Sequence, residues 1–201
     1  MKIPSKYIEN AVNQISSLPG IGKRTALRLV LQLMSRSREE IEDFSNAFTL
    51  MKDNVKKCNT CGNVSDVHVC TICSNTSRDK SIICVVEDIR DILAIEATES
   101  YKGIYHVLGG IISPMDGIGP NDLNISSLVD RAQQESVKEI IFALSATMEG
   151  DTTNFFLYRK LRSLNISISS LSRGVSVGAE LQYADEITLS RSLLNRQPFE
   201  V

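Results

Sequence analysis

Four of the five cysteines in this 201-residue chain form two CxxC pairs, Cys58-x2-Cys61 and Cys70-x2-Cys73, with eight residues between the pairs. Two such knuckles can place four sulfurs at the corners of a tetrahedron, the arrangement zinc accepts at Zn–S distances of about 2.3 Å. Residues 57–78 are rich in Cys, Asn, Ser and Thr and poor in large apolar groups, so they cannot build a core of their own. A metal cross-link supplies the folding energy that such a segment lacks. Four thiolates close the coordination shell and leave no position for water, which implies one structural zinc ion per chain rather than a catalytic one. His68 lies between the pairs but is left without a ligand's role. An iron–sulfur cluster, a redox-active CxxC pair and four metal-free cysteines are the alternatives. An odd cysteine count without a secretory leader argues against a disulfide framework. Cys84, within the apolar run Ile82-Ile83-Cys84-Val85-Val86, reads as a small buried hydrophobe.

Hydrophobic residues make up 42% of the chain and charged ones 23%, enough for a sizeable core in a water-soluble protein. No run approaches the roughly 18 apolar residues that a membrane span requires. The start, Met1-Lys2-Ile3-Pro4, has no apolar leader, and a cytoplasmic protein is the expectation. The net charge of −2 conceals an asymmetry, with 12 Lys and Arg against 8 Asp and Glu in residues 1–80 and 10 against 16 in residues 81–201. A basic first part is compatible with a polyanionic partner, chance being the plainer alternative; four zinc-bound thiolates would add about −2 to that part.

Periodicity divides the chain. Ile8, Val12 and Ile15 predict a helix over 5–17; Ala26, Leu29, Val30 and Leu33 predict a second over 23–35. Ser37-x-x-Glu40 has the form of a capping box and opens a third, with the stripe Ile41, Phe44, Ala47, Phe48, Met51 and Val55. From residue 81 the pattern alternates. Strands are expected at 82–86, 104–108, 139–144 and 166–171, and helices at 88–97, 125–136, 152–164 and 185–195. Such alternation implies a parallel sheet covered on both faces.

Leu18-Pro19-Gly20-Ile21-Gly22-Lys23-Arg24 joins the first two helices. Gly20 and Gly22 permit a tight turn and a close approach of another backbone. The second helix then offers unpaired N–H groups and the positive end of its dipole, a natural seat for phosphate. Lys23, Arg24 and Arg28 add cations beside it. Contacts of this kind neutralise phosphates without reading bases, so DNA binding would be sequence-independent and salt-sensitive. A turn that serves only helix packing is the plainer alternative. A Walker A loop is excluded, because Arg24 follows Lys23 and Ser17 stands where its first glycine belongs.

Glu87 follows the first strand of the α/β part, and Glu149-Gly150-Asp151 follows the strand at 139–144. Carboxylates at the carboxyl ends of parallel strands can hold Mg²⁺ for phosphoryl chemistry. Capping of the following helices is the alternative, sufficient for Asp88 and Asp151.

The order of these features resembles the RecR family of recombination mediators over essentially the whole chain. Beyond the hairpin and cysteine motifs, the likeness rests on Val85-Val86-Glu87, Ala146-Thr147-x-Glu149-Gly150-Asp151 and Ser172-Arg173-Gly174-Val175-Ser176-Val177-Gly178. The α/β part is similar to a Toprim domain. Ser145 and Ala146 stand where the family usually has Asn-Pro, Asp151 replaces a Glu, and Ser176 replaces a Pro. The resemblance implies a mixed α+β and α/β architecture: a helix–hairpin–helix module (1–56), a four-cysteine zinc finger (57–78), a Toprim domain (79–175) and a C-terminal Walker-B-like, oligomerising segment (176–201). It also implies a DNA-binding mediator that acts with RecO and RecF to help load RecA and assembles as a dimer or ring-like tetramer. Gly20, Gly22, Lys23, Arg24 and Arg28 would then face DNA. Glu87, Glu149 and Asp151 would form a partner surface, with any Mg²⁺ there not expected to be catalytic. A Mg²⁺-dependent Toprim nuclease and a purely protein-binding zinc adaptor are the competing functions.

Overall fold

A computed structural model describes residues 3–134, 136–196 and 198. The chain divides into two compact units, Met1–Val55 and Lys56–Val201. The first holds α1 (Lys6–Ser16), α2 (Lys23–Met34) and α3 (Arg38–Asn54). The side chain of Ser5 accepts from the Ile8 N–H at the start of α1. Ser37 and Glu40 cap α3 reciprocally, as their spacing predicts. Val12 from α1 meets Ala26 and Val30 from α2, with Ile8, Ile15, Ile21 and Leu27 packed around them. The α3 stripe, by contrast, buries no residue. Phe44 and Phe48 stack edge to face with centroids 5.1 Å apart, yet Phe48 and Met51 remain more than half exposed.

The second unit opens with a short antiparallel pair, β1 (Lys56–Lys57) and β2 (Val64–Ser65), followed by the single turn α4 (Thr71–Ser74). Then come β3 (Asp79–Val86), α5 (Ile89–Glu96), β4 (Gly103–Val107), α6 (Ile125–Ala132), β5 (Glu139–Phe142), α7 (Met148–Leu161), β6 (Ser167–Ser170) and α8 (Glu186–Leu194). The sheet order is β4-β3-β5-β6, and every pairing is parallel. Side chains on β3 alternate between two cores. Ile83 and Val85 join Leu108, Leu128, Ile140, Leu157 and Leu161 on one face. Cys84 and Val86 join Ile92, Tyr105 and Val107 on the other. This is the two-sided burial that a parallel sheet requires.

Four boundaries differ from expectation by three residues or more: β3 starts at Asp79 rather than 82, α7 ends at Leu161 rather than 164, and the start of α7 and the end of α6 also move. The helix expected from 152 starts at Met148, because Thr147 Oγ1 accepts from the Gly150 N–H at 3.1 Å and caps it. The helix expected to reach 136 ends at Ala132. Glu135 from that span, and residues 197 and 199–201 of the expected tail, lie outside the described residues.

Candidate metal centre and nucleic-acid interface

The structure brings Cys58, Cys61, Cys70 and Cys73 together, with their sulfurs all within 4.8 Å of one another. Cys61 Sγ and Cys70 Sγ lie 3.6 Å apart. The edge of a zinc–sulfur tetrahedron is about 3.8 Å, so the four cysteines fit the ion. Cys58, Cys61 and Cys70 are buried and Cys73 is partly so. His68 is exposed and is not one of the four gathered ligands. Backbone geometry prepares the donors: the Cys70 N–H points at Cys58 Sγ across 3.3 Å. Burial pushes the Cys58 thiol up, but amide donors from Cys70, Cys61 and Thr60 outweigh it and bring the group down to about 6. Cys61 is held far above the ordinary thiol range by its hydrogen bond with Cys73 and by burial. Burial raises Cys70 as well. Without a cation, Cys61 and Cys70 resist becoming thiolates; a divalent ion removes that conflict.

The cysteine module is anchored to the sheet rather than hung from it. The Val107 N–H at the end of β4 donates to the Cys61 carbonyl at 2.7 Å. Ile72 packs against the cysteines and also against the core beneath α5. Gly62 has φ +77°, and a Cβ there would stand 3.0 Å from Val107 O and from Asn124 Nδ2. At the module's far end, Arg78 pairs with Glu96 and donates to the Gly103 carbonyl at 3.2 Å. The Tyr105 hydroxyl donates to Glu96 at 2.6 Å.

The hairpin is a tight turn, with Ile21 N–H donating to Leu18 O and Gly20 at φ +79°. Gly22 is the N-cap of α2, with no side-chain cap hydrogen bond and no acidic residue in the first turn. This helix start is therefore bare. Ser5, Ser37, Asp88, Thr147 and Asp185 instead cap α1, α3, α5, α7 and α8 with side-chain oxygens. A Cβ at Gly20 or Gly22 would meet nothing within 4 Å. Lys23, Arg24 and Arg28 are exposed. Among the described residues, none of the three is paired with a carboxylate. Unpaired amides, the positive end of a dipole and three cations are the chemical elements from which a seat for an anion can be built.

The three acidic positions are divided. Glu87 and Glu149 line one cleft of about 500 Å³. Asp151 lines another, of about 860 Å³, beside Arg173 and Arg191. It accepts from Arg173 Nη2 at 2.6 Å and from Arg191 Nη2 at 3.3 Å. The Arg173 hydrogen bond is the larger cause holding this carboxyl below its ordinary range. Glu87 Oε1 accepts from the Ser145 N–H at 2.7 Å. Capping by Asp151 is therefore corrected: Thr147 is the cap, and Asp151 sits one turn in, turned to the two arginines. Asp88 does cap α5. Among the described residues, the cysteines are the one group of three or more potential ligands that the fold gathers around a single point. Gly150 explains its place between the two acids: a Cβ there would stand 2.0 Å from Ser145 O.

Sequence reading passes over His106 and Arg131, both buried beside the metal centre. His106 Nε2 lies 2.7 Å from Asn124 O, while Arg131 Nη1 lies 3.1 Å from His106 Nδ1 and donates to Tyr105 O at 2.8 Å. Both ring nitrogens are satisfied when the imidazole is neutral with its proton on Nε2. Burial, with the Arg131 charge adding to it, lowers His106 to about 4 against the Asn124 contact. One signal is present in the sequence: Arg131 interrupts the apolar face formed by Ile125, Leu128 and Ala132 on α6.

Four family models match the chain in order. The RecR helix-hairpin-helix model covers residues 8–51, and the RecR zinc finger model, of the four-cysteine type, covers 55–75. "Toprim domain" covers 81–172 and "RecR, C-terminal" covers 174–197. The chain is similar to the "Recombination protein RecR" of Flavobacterium johnsoniae, at 59% identity over 200 residues, 100% of this chain and 97% of that one. The protein of that name from Bacteroides thetaiotaomicron is 56% identical over 196 residues, 98% and 96% of the two chains. That from Porphyromonas gingivalis strain ATCC 33277 is 54% identical over 198 residues, again 98% and 96%. The cysteine cluster and the match to a four-cysteine zinc finger together identify one structural zinc ion.

Proposed function

The chain belongs to the RecR family of recombination proteins, and from that premise we propose a DNA-binding mediator of recombinational repair with no catalytic step of its own. It holds the sugar–phosphate backbone without reading sequence and acts in the cytoplasm with RecO and RecF to help load RecA on gapped or single-stranded DNA. The observation that carries the reading is the uncapped start of α2, flanked by unpaired Lys23 and Arg24. Gly20 and Gly22 keep the approach clear, the first-turn amides of α2 donate to a phosphate, and Lys23, Arg24 and Arg28 neutralise its neighbours.

One hairpin reaches few phosphates, so several copies acting together give useful affinity. The uncovered α3 stripe supports an oligomer, up to a ring-like tetramer, because apolar surface of this kind marks a protein interface. Segment 176–201 is assigned to the same assembly. Glu87, Glu149 and Asp151 serve as a surface for protein partners. The arginine pairing of Asp151 favours that role over shared metal binding. Zinc, when bound, cross-links a segment that has no core of its own.

A second reading, a Mg²⁺-dependent Toprim nuclease, draws on the cleft that Glu87 and Glu149 share. Zinc-replete protein incubated with supercoiled plasmid and Mg²⁺ or Mn²⁺ separates the two. The mediator leaves the plasmid intact while retarding gapped DNA at low salt. Nicking that disappears in Glu149→Ala would overturn it.

A further inference from the structure

Four thiolates around one Zn²⁺ leave a net charge of −2, and here three of the four cysteines are buried. Charge buried in this way requires compensation. Among the described Lys and Arg residues, Arg131 alone is buried, at 8% exposure. Its Nη1 is engaged by Tyr105 O and His106 Nδ1. Its Nη2 is shut away from solvent and, among the described residues, has no hydrogen-bond partner. Native structures seldom leave such a donor unmet without a reason. Arg131, Cys73 and Thr60 line the same cavity, of about 260 Å³. The strand that holds Arg131 at Tyr105 O also holds the metal loop, through the Val107 N–H to Cys61 O.

We propose that Arg131 is the counter-cation of the zinc tetrathiolate, with Nη2 the free donor on its Cys73 side. Half of the charge is thereby balanced from within the α/β body. Folding of α6 against β4 and metal retention become one event, because the same guanidinium serves both. His106, kept neutral between Asn124 and Arg131, orients the guanidinium without adding charge.

A double-mutant cycle on zinc affinity, read by chelator competition on full-length protein, tests this. Arg131→Met is expected to weaken zinc binding about 10- to 100-fold, the usual cost of losing a partner of the ligand shell. Cys73→His keeps an accepted donor set and reduces the net charge to −1. In that background Arg131→Met is expected to cost less than about threefold, since half of the charge needing compensation has gone. Equal losses in the two backgrounds would show a structural role only and overturn the proposal, as would wild-type affinity in Arg131→Met. Should Arg131→Met not fold, Arg131→Lys decides. Retained charge is expected to keep zinc within about threefold of wild type and the sulfur-to-metal band of the Co²⁺ form in place; a loss of about tenfold or more contradicts it.

Discussion

Gly22→Asp separates a DNA-binding hairpin from a packing turn, because the two readings give it opposite consequences. Gly22 already has the extended backbone of an N-cap, at φ −78° and ψ 160°, and a Cβ meets nothing within 4 Å. Aspartate therefore fits without strain, and its carboxylate accepts from the first-turn amides that are now bare. Replacing a glycine cap is worth a few tenths of a kcal/mol, and a negative charge at a helix start about 0.3–1 kcal/mol. The variant should be more stable by about 0.5–1 kcal/mol, a rise of about 1–4 °C for a chain of this size. DNA binding should move the other way. The new carboxylate occupies the phosphate's place and repels it, so affinity should fall at least about tenfold. The slope of log K against log salt should shrink by about 0.9 for each duplex phosphate that is no longer neutralised. Differential scanning fluorimetry and anisotropy titrations of a fluorescent duplex at several salt concentrations measure both. A variant that gains stability yet keeps wild-type affinity and slope would refute phosphate binding at this helix end. A variant that melts lower would refute the open cap.

Changing Lys23, Arg24 and Arg28 together to Gln should flatten the salt slope by up to about 2.7 per engaged hairpin while melting stays near wild type; an unchanged slope in the same titrations removes these residues from the interface. Cys73→Ser should lose zinc, measured by elemental analysis, and aggregate or melt lower, since the segment that brings Cys61 and Cys70 to 3.6 Å has no core of its own; wild-type melting without metal would contradict a structural site. His106 has a folded-state value of about 4, below its ordinary 6.5, so between those values the unfolded chain binds the extra proton and stability falls as pH falls. At constant excess zinc, wild type should lose about 3 kcal/mol more than His106→Gln across that window in urea titrations; identical acid profiles would show that the imidazole is not held neutral.

Legible in the sequence is whatever its chemistry settles locally. The CxxC spacing, the capping box of Ser37 and Glu40, and the apolar run Ile82–Val86 all act within a few residues, and each appears where expected. The pairing of Asp151 is not legible, because Arg173 and Arg191 lie 22 and 40 residues away and only the fold brings them close. Arg131 escapes notice for the same reason: its partners Tyr105 and His106 are 26 and 25 residues distant. The start of α7 is hard to place because Thr147 is the cap, while Glu149 and Asp151 look equally suited to a first turn. The α3 stripe is visible, but periodicity reports an apolar face and not what covers it.

Hydrogen–deuterium exchange of the zinc-loaded protein, with and without gapped DNA at low salt, bears most directly on the uncapped helix start. The amides of residues 22–25 carry no side-chain cap in the free protein and should exchange quickly. Slowed exchange there on adding DNA, reversed by raising the salt, is the expected result. Protection elsewhere with these amides still exchanging freely would mean that DNA, if bound at all, is held by another surface.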